Sequence, residues 1–326
     1  MESSPARPLS AHAELAGFLN VYKPAGMRST QALCAIRRAT EVRRAGHCGT
    51  LDPLAEGVLP IALGGATRLA AQTLRLRKSY FACVLFGVTT TTDDLEGRAL
   101  GSLAPSPSAA EVADALTRMT GVILQRPPTI SAIHVGGERA YARARRGEAF
   151  DLPAREVTIH AVGLRSHGTL PVAVCNGSLR FGDGPGASEA LVAGVWVTCT
   201  AGTYMRSLAR DLGAQLGSGA TLFGLIRLAV GPFSRANATE IWQVAQAARH
   251  GYLETLLFPP DAVVEDLPAQ IVGPAVHADL VHGRPASAPP GVEGLHRLYA
   301  WDGAFVGLGQ AANSLWVTRQ MFRSAA

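Results

Sequence analysis

Cysteine is scarce in this chain and forms no pattern. The five residues, Cys34, Cys48, Cys83, Cys175 and Cys199, are odd in number and include no CxxC pair. That spacing argues against a disulfide scaffold and against a structural zinc site. The nine histidines are scattered, with His277 and His282 the nearest pair, so no metal cluster is expected. The sequence also lacks a P-loop, a GxGxxG after a strand and an HExxH. Any chemistry is therefore expected to run without cofactor or metal. No apolar run reaches membrane-spanning length, and the opening "MESSPARPLSAHAELAG" has no apolar signal core. No membrane association and a cytoplasmic location are expected. Lysine is nearly missing too. Only Lys23 and Lys78 interrupt an otherwise all-arginine set of cations, a bias that a GC-rich genome would also produce.

What is present points to a folded protein with a polyanionic partner. The chain has 326 residues, 48% of them hydrophobic and only 17% charged, which suits a large core and excludes a disordered chain. The formal net charge of +5 favours nucleic acid or another polyanion. Residues 1–16 read as a loose tail. "GFLNVYKPAGMRST" reads as a short strand, a turn and a helix capped by Ser29 or Thr30. "STQALCAIRRAT" has helical periodicity with Arg37 and Arg38 outward, and "SAAEVADALTRMTG" is a second capped helix. "RAYARARRGEAF" reads as a basic helix. "KSYFACVLFGVTTTTDD", "REVTIHAVGLRSHG" and "LVAGVWVTCTAG" read as strands. The Gly-rich stretch around 176–190 reads as a hairpin loop, "TYMRSLARDLGAQLG" as a helix, and "FPPDAVVEDLPAQ" as a linker to a small β-rich module. Strands and helices mix without strict alternation, which favours α+β over a doubly wound sheet.

The stretch "GHCGTLDPLAEGVLP", residues 46–60, holds a His, a Cys, an Asp and a Glu within ten positions. Asp52-Pro53 alone reads as a turn. Asp52 and Glu56 resemble a glycosidase pair poorly, since such carboxylates flank a bond from separate elements. His47 and Cys48 are adjacent and point apart, which disfavours a nucleophile–base couple. Three basic groups stand out: Arg37, Arg38, Arg43 and Arg44; Arg75, Arg77 and Lys78; and Arg139, Arg143, Arg145 and Arg146. Singly they read as solvated faces; together they suggest a surface that tracks phosphates. In "GTYMRSLARDLG", Arg206 falls in the first helical turn, where the helix dipole disfavours a cation. A buried carboxylate would offset that cost, so an Asp–Arg pair is expected. Asp93 and Asp94 in "TTTTDDLEG" read as solvated loop residues.

Taken as an ordered set, several blocks carry a resemblance. "GFLNVYKPAGMRS", "RRAGHCGTLDPLAEGVLPIALGGATRLA", "KSYFACVLFGVTTTTDDLEG", "PPTISAIHVGGERAYARARRGE", "GTYMRSLARDLG" and "LIRLAVGPF" occur in the order seen in TruB-type tRNA pseudouridine synthases. They span residues 18 to about 240. "LHRLYAWDGAFVGLGQ" resembles the PUA-like RNA-binding module that ends bacterial members. The resemblance implies a pseudouridine-synthase fold: α+β, a mixed and mainly antiparallel sheet with helices, over residues 17–262. A PUA-like domain is expected over 267–326. It implies isomerisation of uridine 55 in the tRNA T loop, with the T arm as partner and no protein partner; a monomer is expected because no coiled coil or large exposed apolar stripe is evident in the sequence.

The same resemblance implies residue roles. Asp52 is the nucleophile; a carboxylate, with a reference pKa of about 3.9, is ionised at neutral pH without a general base. Arg206 is its partner. Tyr80 stacks on the target uracil and acts on the proton at C5. Tyr204 and Leu228 wall the pocket, His47 fills the space left by the flipped base, and Lys23 supports the loop or touches backbone. Arg43 and Arg44 belong to the tRNA surface. Ser79 stands where the family often has a basic residue before the tyrosine, with Lys78 one position earlier. The alternative from another class is an RNA-binding or RNA-folding protein in which isomerisation is incidental.

Overall fold

The computed structural model describes residues 15–322, apart from 131–133, 136–137, 140–145, 147 and 149–151. A twelve-stranded sheet forms the body. Along its main path the order is Ser178–Phe181, Arg155–Cys175, Ser188–Cys199, Lys78–Phe86, Ala220–Val230, Glu56–Leu63, Gly17–Lys23 and Thr239–Glu240. Neighbours along this path are antiparallel, except that Glu56–Leu63 runs parallel to Ala220–Val230 and Thr239–Glu240 runs parallel to Gly17–Lys23. The fold is thus α+β with a mixed, mainly antiparallel sheet, as the sequence led one to expect.

Side-chain pattern explains the strands. Lys78–Phe86 alternates buried and half-buried residues over its first seven positions, the period of a sheet with two unlike faces. Glu56–Leu63 is buried at every position after Glu56, the near-continuous apolar run of a central strand. Pro60 sits in it without breaking a ladder. Of the Glu56–Leu63 strand, Ala220–Val230 pairs with Glu56 and Gly57 alone, and the short Ala45–His47 strand with Ile61, Ala62 and Leu63 alone. Pro60 faces the gap between these pairings, where no ladder bond requires an N–H. The sheet is split at this gap, and the site described below lies along it.

Helices Met205–Gln215 and Ala109–Thr117 pack on one face, burying Leu208, Leu212, Val112 and Leu116 against Ala82, Val84, Val195 and Val197. Helices Ser29–Thr40 and Ile241–His250 cover another part of the sheet, burying Ile36, Val244 and Ala247 with Leu19, Val21 and Ile61. No described helix is long and apolar enough to cross a membrane. A separate five-stranded sheet runs Ala269–Val272, Gly294–Ala300, Phe305–Ala312, Leu315–Met321 and Ala286–Ser287. With helix Pro274–Val281 it encloses Trp316, Leu298 and Leu280. This module packs back on the body: Leu308 joins the cluster of Phe18, Val58 and Phe233, and Arg68 Nη1 donates to the Met321 carbonyl at 2.5 Å.

Four local expectations are corrected. The first helix is capped at Arg28, not Ser29 or Thr30, because the Ser29 hydroxyl is engaged elsewhere. The Gly-rich stretch contains a further strand, Ser178–Phe181, turned by Asn176 and Gly177, both at positive φ. Two such residues in succession match the tight hairpin turn whose twist suits antiparallel strands. The Pro-rich stretch is not a free linker: Pro260–Val263 forms a 3-10 turn, and Ala262, Val263 and Val264 are buried. Asp94 is buried, not solvated. The expected basic helix over "RAYARARRGEAF" lies for the most part outside the described residues.

Candidate active site

The Asp52 turn is tied down at several backbone atoms. The buried Ser29 hydroxyl donates to the Leu51 carbonyl and accepts from the Leu51 N–H, each at 2.9 Å. The Gly26 N–H donates to the Pro53 carbonyl at 2.8 Å, joining the "KPAG" turn to the same loop. From beneath, the Arg227 guanidinium donates to the carbonyls of Gly49 (3.1 Å), Thr50 (3.4 Å) and Val58 (2.7 Å). Close approach here requires Gly57: a Cβ would lie 2.3 Å from the Arg227 carbonyl oxygen, and its φ is +108°. Glycine alone meets both conditions without strain.

Asp52 emerges from this frame with its side chain 44% exposed, and its Oδ2 lies 2.9 Å from Arg206 Nη2. The expected Asp–Arg pair is therefore present. Arg206 is held from its other side by Asp94 at 3.7 Å, and it donates to the Thr92 carbonyl at 3.4 Å. Asp94 is 3% exposed; its Oδ1 accepts from the Thr92 hydroxyl and from the Glu96 N–H. The next acid, Asp93, pairs with Arg210 at 3.0 Å, while its carbonyl takes the Leu222 N–H. "TTTTDD" thus clamps the helix that carries Arg206, with Thr90 and Asp94 buried. A buried charge of this kind persists because it is paired and hydrogen-bonded.

Tyr80 stands directly opposite Arg227 in the antiparallel register, so the two side chains lie on the same face of the sheet. Burial pushes the Tyr80 phenol up to about 12, with the Arg227 charge acting in the opposite direction. Leu228 is the extra residue of a β-bulge, since Arg227 pairs with Tyr80 and Ala229 with Ser79. A bulge redirects a side chain in this way. Tyr204 precedes the Arg206 helix, and the buried Gln125 amide grips its backbone at both atoms, 2.8 Å at the N–H and 3.1 Å at the carbonyl.

The remaining residues divide by exposure. His47 is half-buried on the strand paired with Ile61, and burial, then the Arg227 charge, lowers its imidazole pKa. Arg43 is exposed, and Arg44 is exposed with its Nε donating to the Thr67 hydroxyl at 2.6 Å. Lys23 takes the loop-supporting one of its two expected roles. It is fully buried, and its ammonium donates to the carbonyls of Pro24 and Met27. It shapes the turn and presents no atom to solvent. Lys78 is likewise drawn inward, donating to the Thr73 and Leu76 carbonyls, which removes it from the expected basic surface. Burial lowers both lysines to about 8.

Comparison with known proteins supplies the lineage. The model described as TruB family pseudouridylate synthase (N terminal domain) matches residues 37–177, and that described as tRNA pseudouridylate synthase B C-terminal domain matches 206–265. The tRNA pseudouridine synthase B of Methylobacillus flagellatus is 38% identical over 311 residues, covering 95% of this chain and 96% of its own length. The chain belongs to the TruB family. The protein of the same name from Thermobifida fusca is 40% identical, covering 90% of this chain and 94% of its own. That of Synechococcus sp. strain WH7803 is 48% identical over 68% of each. Among solved structures, a Cbf5–Nop10–Gar1 complex superposes with a TM-score of 0.68 at 22% identity, covering 99% of this chain and 90% of that one. An H/ACA ribonucleoprotein bound to a substrate RNA containing 2′-deoxyuridine gives 0.69 at 20% identity, covering 99% and 92%. At these identities they show a shared fold.

Arg227 and Gln125 join this candidate site without having been singled out by the sequence, while Ser29 and Asp94 join it from positions read as a helix cap and a solvated loop. One signal was available for Arg227: it is the lone charge in the apolar run "LFGLIRLAV". Arginine is seldom fully buried without partners, so a cation there implies carbonyls or acids around it.

Proposed function

We propose that this protein isomerises uridine to pseudouridine in tRNA, at position 55 of the T loop, with Asp52 as the acting carboxylate. The observation that carries the reading is the half-exposed Asp52 carboxylate held 2.9 Å from Arg206 on a loop tied at Leu51, Gly49 and Thr50. Whole-length relatives named for this activity support it. In the reaction the N1–C1′ bond breaks, the uracil turns, the C5–C1′ bond forms, and the proton on C5 leaves while N1 gains one. Nothing is oxidised and no group is added. Arg206 keeps the carboxylate oriented. Tyr80, on the strand Lys78–Phe86, stacks on the uracil and takes part in the C5 proton transfer. Tyr204 and Leu228 wall the pocket.

The target base must leave its stack to reach Asp52, at a cost of a few kcal/mol. Stacking on an aromatic side chain, worth about 1–3 kcal/mol per base, offsets that cost. His47, half-buried beside the loop, fills the vacated space. The exposed Arg43 and Arg44 contact phosphate. In this reading residues 17–262 perform the chemistry and 267–326 act as a PUA-like RNA-binding module. The protein acts as a monomer in the cytoplasm.

The test is to incubate T-arm RNA with wild type and with Asp52→Asn and map pseudouridine. Product is expected from wild type, with a rate loss of at least ~10⁴-fold in the variant. Equal product from both would remove Asp52 from the chemistry. Binding without product from either would leave an RNA-binding protein.

A further inference from the structure

We propose that Arg227 is a positioning residue that sets the Asp52 loop and the Tyr80 hydroxyl relative to each other. The inference rests on the reading above, in which those two side chains act on the uridine. Arg227 contacts no substrate atom in this proposal; it acts through the groups it holds.

The split in the sheet creates the need for such a residue. Between the pairings at Glu56–Gly57 and at Ile61–Leu63, the Glu56–Leu63 strand lacks a neighbouring strand on one side. Its carbonyls there still need donors, because a buried carbonyl left unpaired is destabilising. The Cys48 N–H takes the Pro60 carbonyl at 2.8 Å, and Arg227 Nε takes the Val58 carbonyl at 2.7 Å. One side chain thus replaces a missing stretch of ladder. The same guanidinium reaches beyond the strand to Gly49 and Thr50, which lie three and two residues before Asp52. Its backbone is fixed by Gly57 on one side and by the Tyr80 register on the other. Three carbonyls on two segments meet on one planar group that is 2% exposed, with Tyr80 directly opposite it in the register.

A purely packing role does not require this arrangement. A buried arginine costs several kcal/mol in desolvation, and an apolar residue of similar volume is often as stable. Here each nitrogen of the guanidinium holds a carbonyl, two of the three on the loop that carries Asp52, and the residue itself sits opposite Tyr80. Arginine is the residue for this task, since its donors are rigidly spaced, while lysine offers a single point charge. The two lysines of the chain take the opposite task, each capping two nearby carbonyls of its own turn.

The experiment uses the full chain with Arg227→Lys and Arg227→Met, on unmodified tRNA transcript. Lys keeps a buried cation, so one folded variant remains if Met fails to fold. Thermal unfolding, the tRNA dissociation constant and the single-turnover rate constant are measured separately, the last with ordinary uridine and with uridine deuterated at C5. The expected result is tRNA affinity within about threefold of wild type and a rate constant lower by on the order of 10²-fold, the scale of a ~1 Å misplacement. Lys is expected to recover only part of that loss. The deuterium effect is expected to exceed that of wild type, because proton removal becomes harder when Tyr80 loses the fixed group opposite it on the sheet. A folded variant with the wild-type rate, a full rescue by Lys, a rate loss matched by weaker tRNA affinity, or an unchanged deuterium effect would overturn the coupling. The Asp52→Asn control separates the two claims: an active Asp52→Asn removes the underlying reading, while an inactive one beside a fully active Arg227 variant removes this inference alone.

Discussion

Around Asp52 the body of the protein buries Lys23, Arg206, Arg227 and Asp94, none of them more than 6% exposed. The C-terminal sheet buries Trp316, Leu298, Leu280 and Val272, and among its described polar side chains only His296. Both regions are made from twisted, mainly antiparallel strands, so the difference is not one of architecture. Desolvating each charge costs several kcal/mol, which good pairing barely recovers. Apolar burial costs nothing comparable and returns about 25 cal/mol per Å². A region that keeps four buried charges is giving up stability for fixed geometry. The C-terminal sheet, free of that demand, is built as an ordinary core around one tryptophan, its ring edge-on to His296 at 5.3 Å.

The sharpest way to break this contrast is Asp94→Asn. It leaves Arg206 its bond to Asp52 but removes the countercharge behind it. The single-turnover rate is expected to fall on the order of 10²-fold, as for other small misplacements. Stability is expected to drop by up to about 3–5 kcal/mol, the range for breaking a buried pair. Thermal unfolding and single-turnover kinetics on the same preparation check both. The counterpart is Trp316→Ala, which is expected to cost about 3–5 kcal/mol of stability through the cavity it leaves. Its single-turnover rate on saturating tRNA, below the melting transition, is expected to match wild type. An equal rate loss in the two variants would mean that the two regions are not separable.

The contrast also explains which parts were legible in the sequence. The strands around Tyr80 and the capped helix at Ser108 follow from local pattern, because their side chains alternate between core and solvent. A carboxylate beside Arg206 was foreseeable because a cation in a first helical turn needs a reason, while Asp52 as that carboxylate followed only from the family resemblance. Asp94 was hidden: "TTTTDDLEG" has loop composition, and only its bridge to Leu222 and the packing of the Arg206 helix make it interior. Arg227 was hidden in an apolar strand for the converse reason, since its partners are backbone carbonyls that carry no residue signature. The strand Ser178–Phe181 was lost among glycines, although Asn176-Gly177 is a strong hairpin signal.

A smaller effect tests the buried cations by pH. Lys23 and Lys78 titrate at about 8 in the folded protein against an ordinary 10.5. Above pH 8 the folded state gives up these protons while the unfolded state retains them, so stability rises with pH by at most about 1.4 kcal/mol per unit for each lysine. The buried thiols Cys48 and Cys199 act with the opposite sign. Burial raises them from 9 to about 11, so their contribution is lost as pH rises from about 9 to 11. Denaturant unfolding should therefore show a rise between pH 8 and 9 that flattens above 9. Lys78→Met should remove about half of the rise, and an unaltered profile would show that its ammonium is not desolvated as the geometry requires.

Arg43→Gln carries the smallest expected effect and probes the other kind of cation. Arg43 is exposed, so its change should leave stability and the single-turnover rate at saturating tRNA as in wild type. What it should alter is affinity, and in a particular way. Removing one cation–phosphate pairing lowers the slope of log K against log salt by about 0.7–0.9, so the variant should bind weakly at low salt and converge on wild type at high salt. Filter binding over a salt series measures this. Parallel lines would mean that Arg43 is a solvated face and that the RNA track lies elsewhere. The buried charges near Asp52 should show the reverse signature, with rate altered and salt slope intact, because their fields are spent inside the protein and release no counterions.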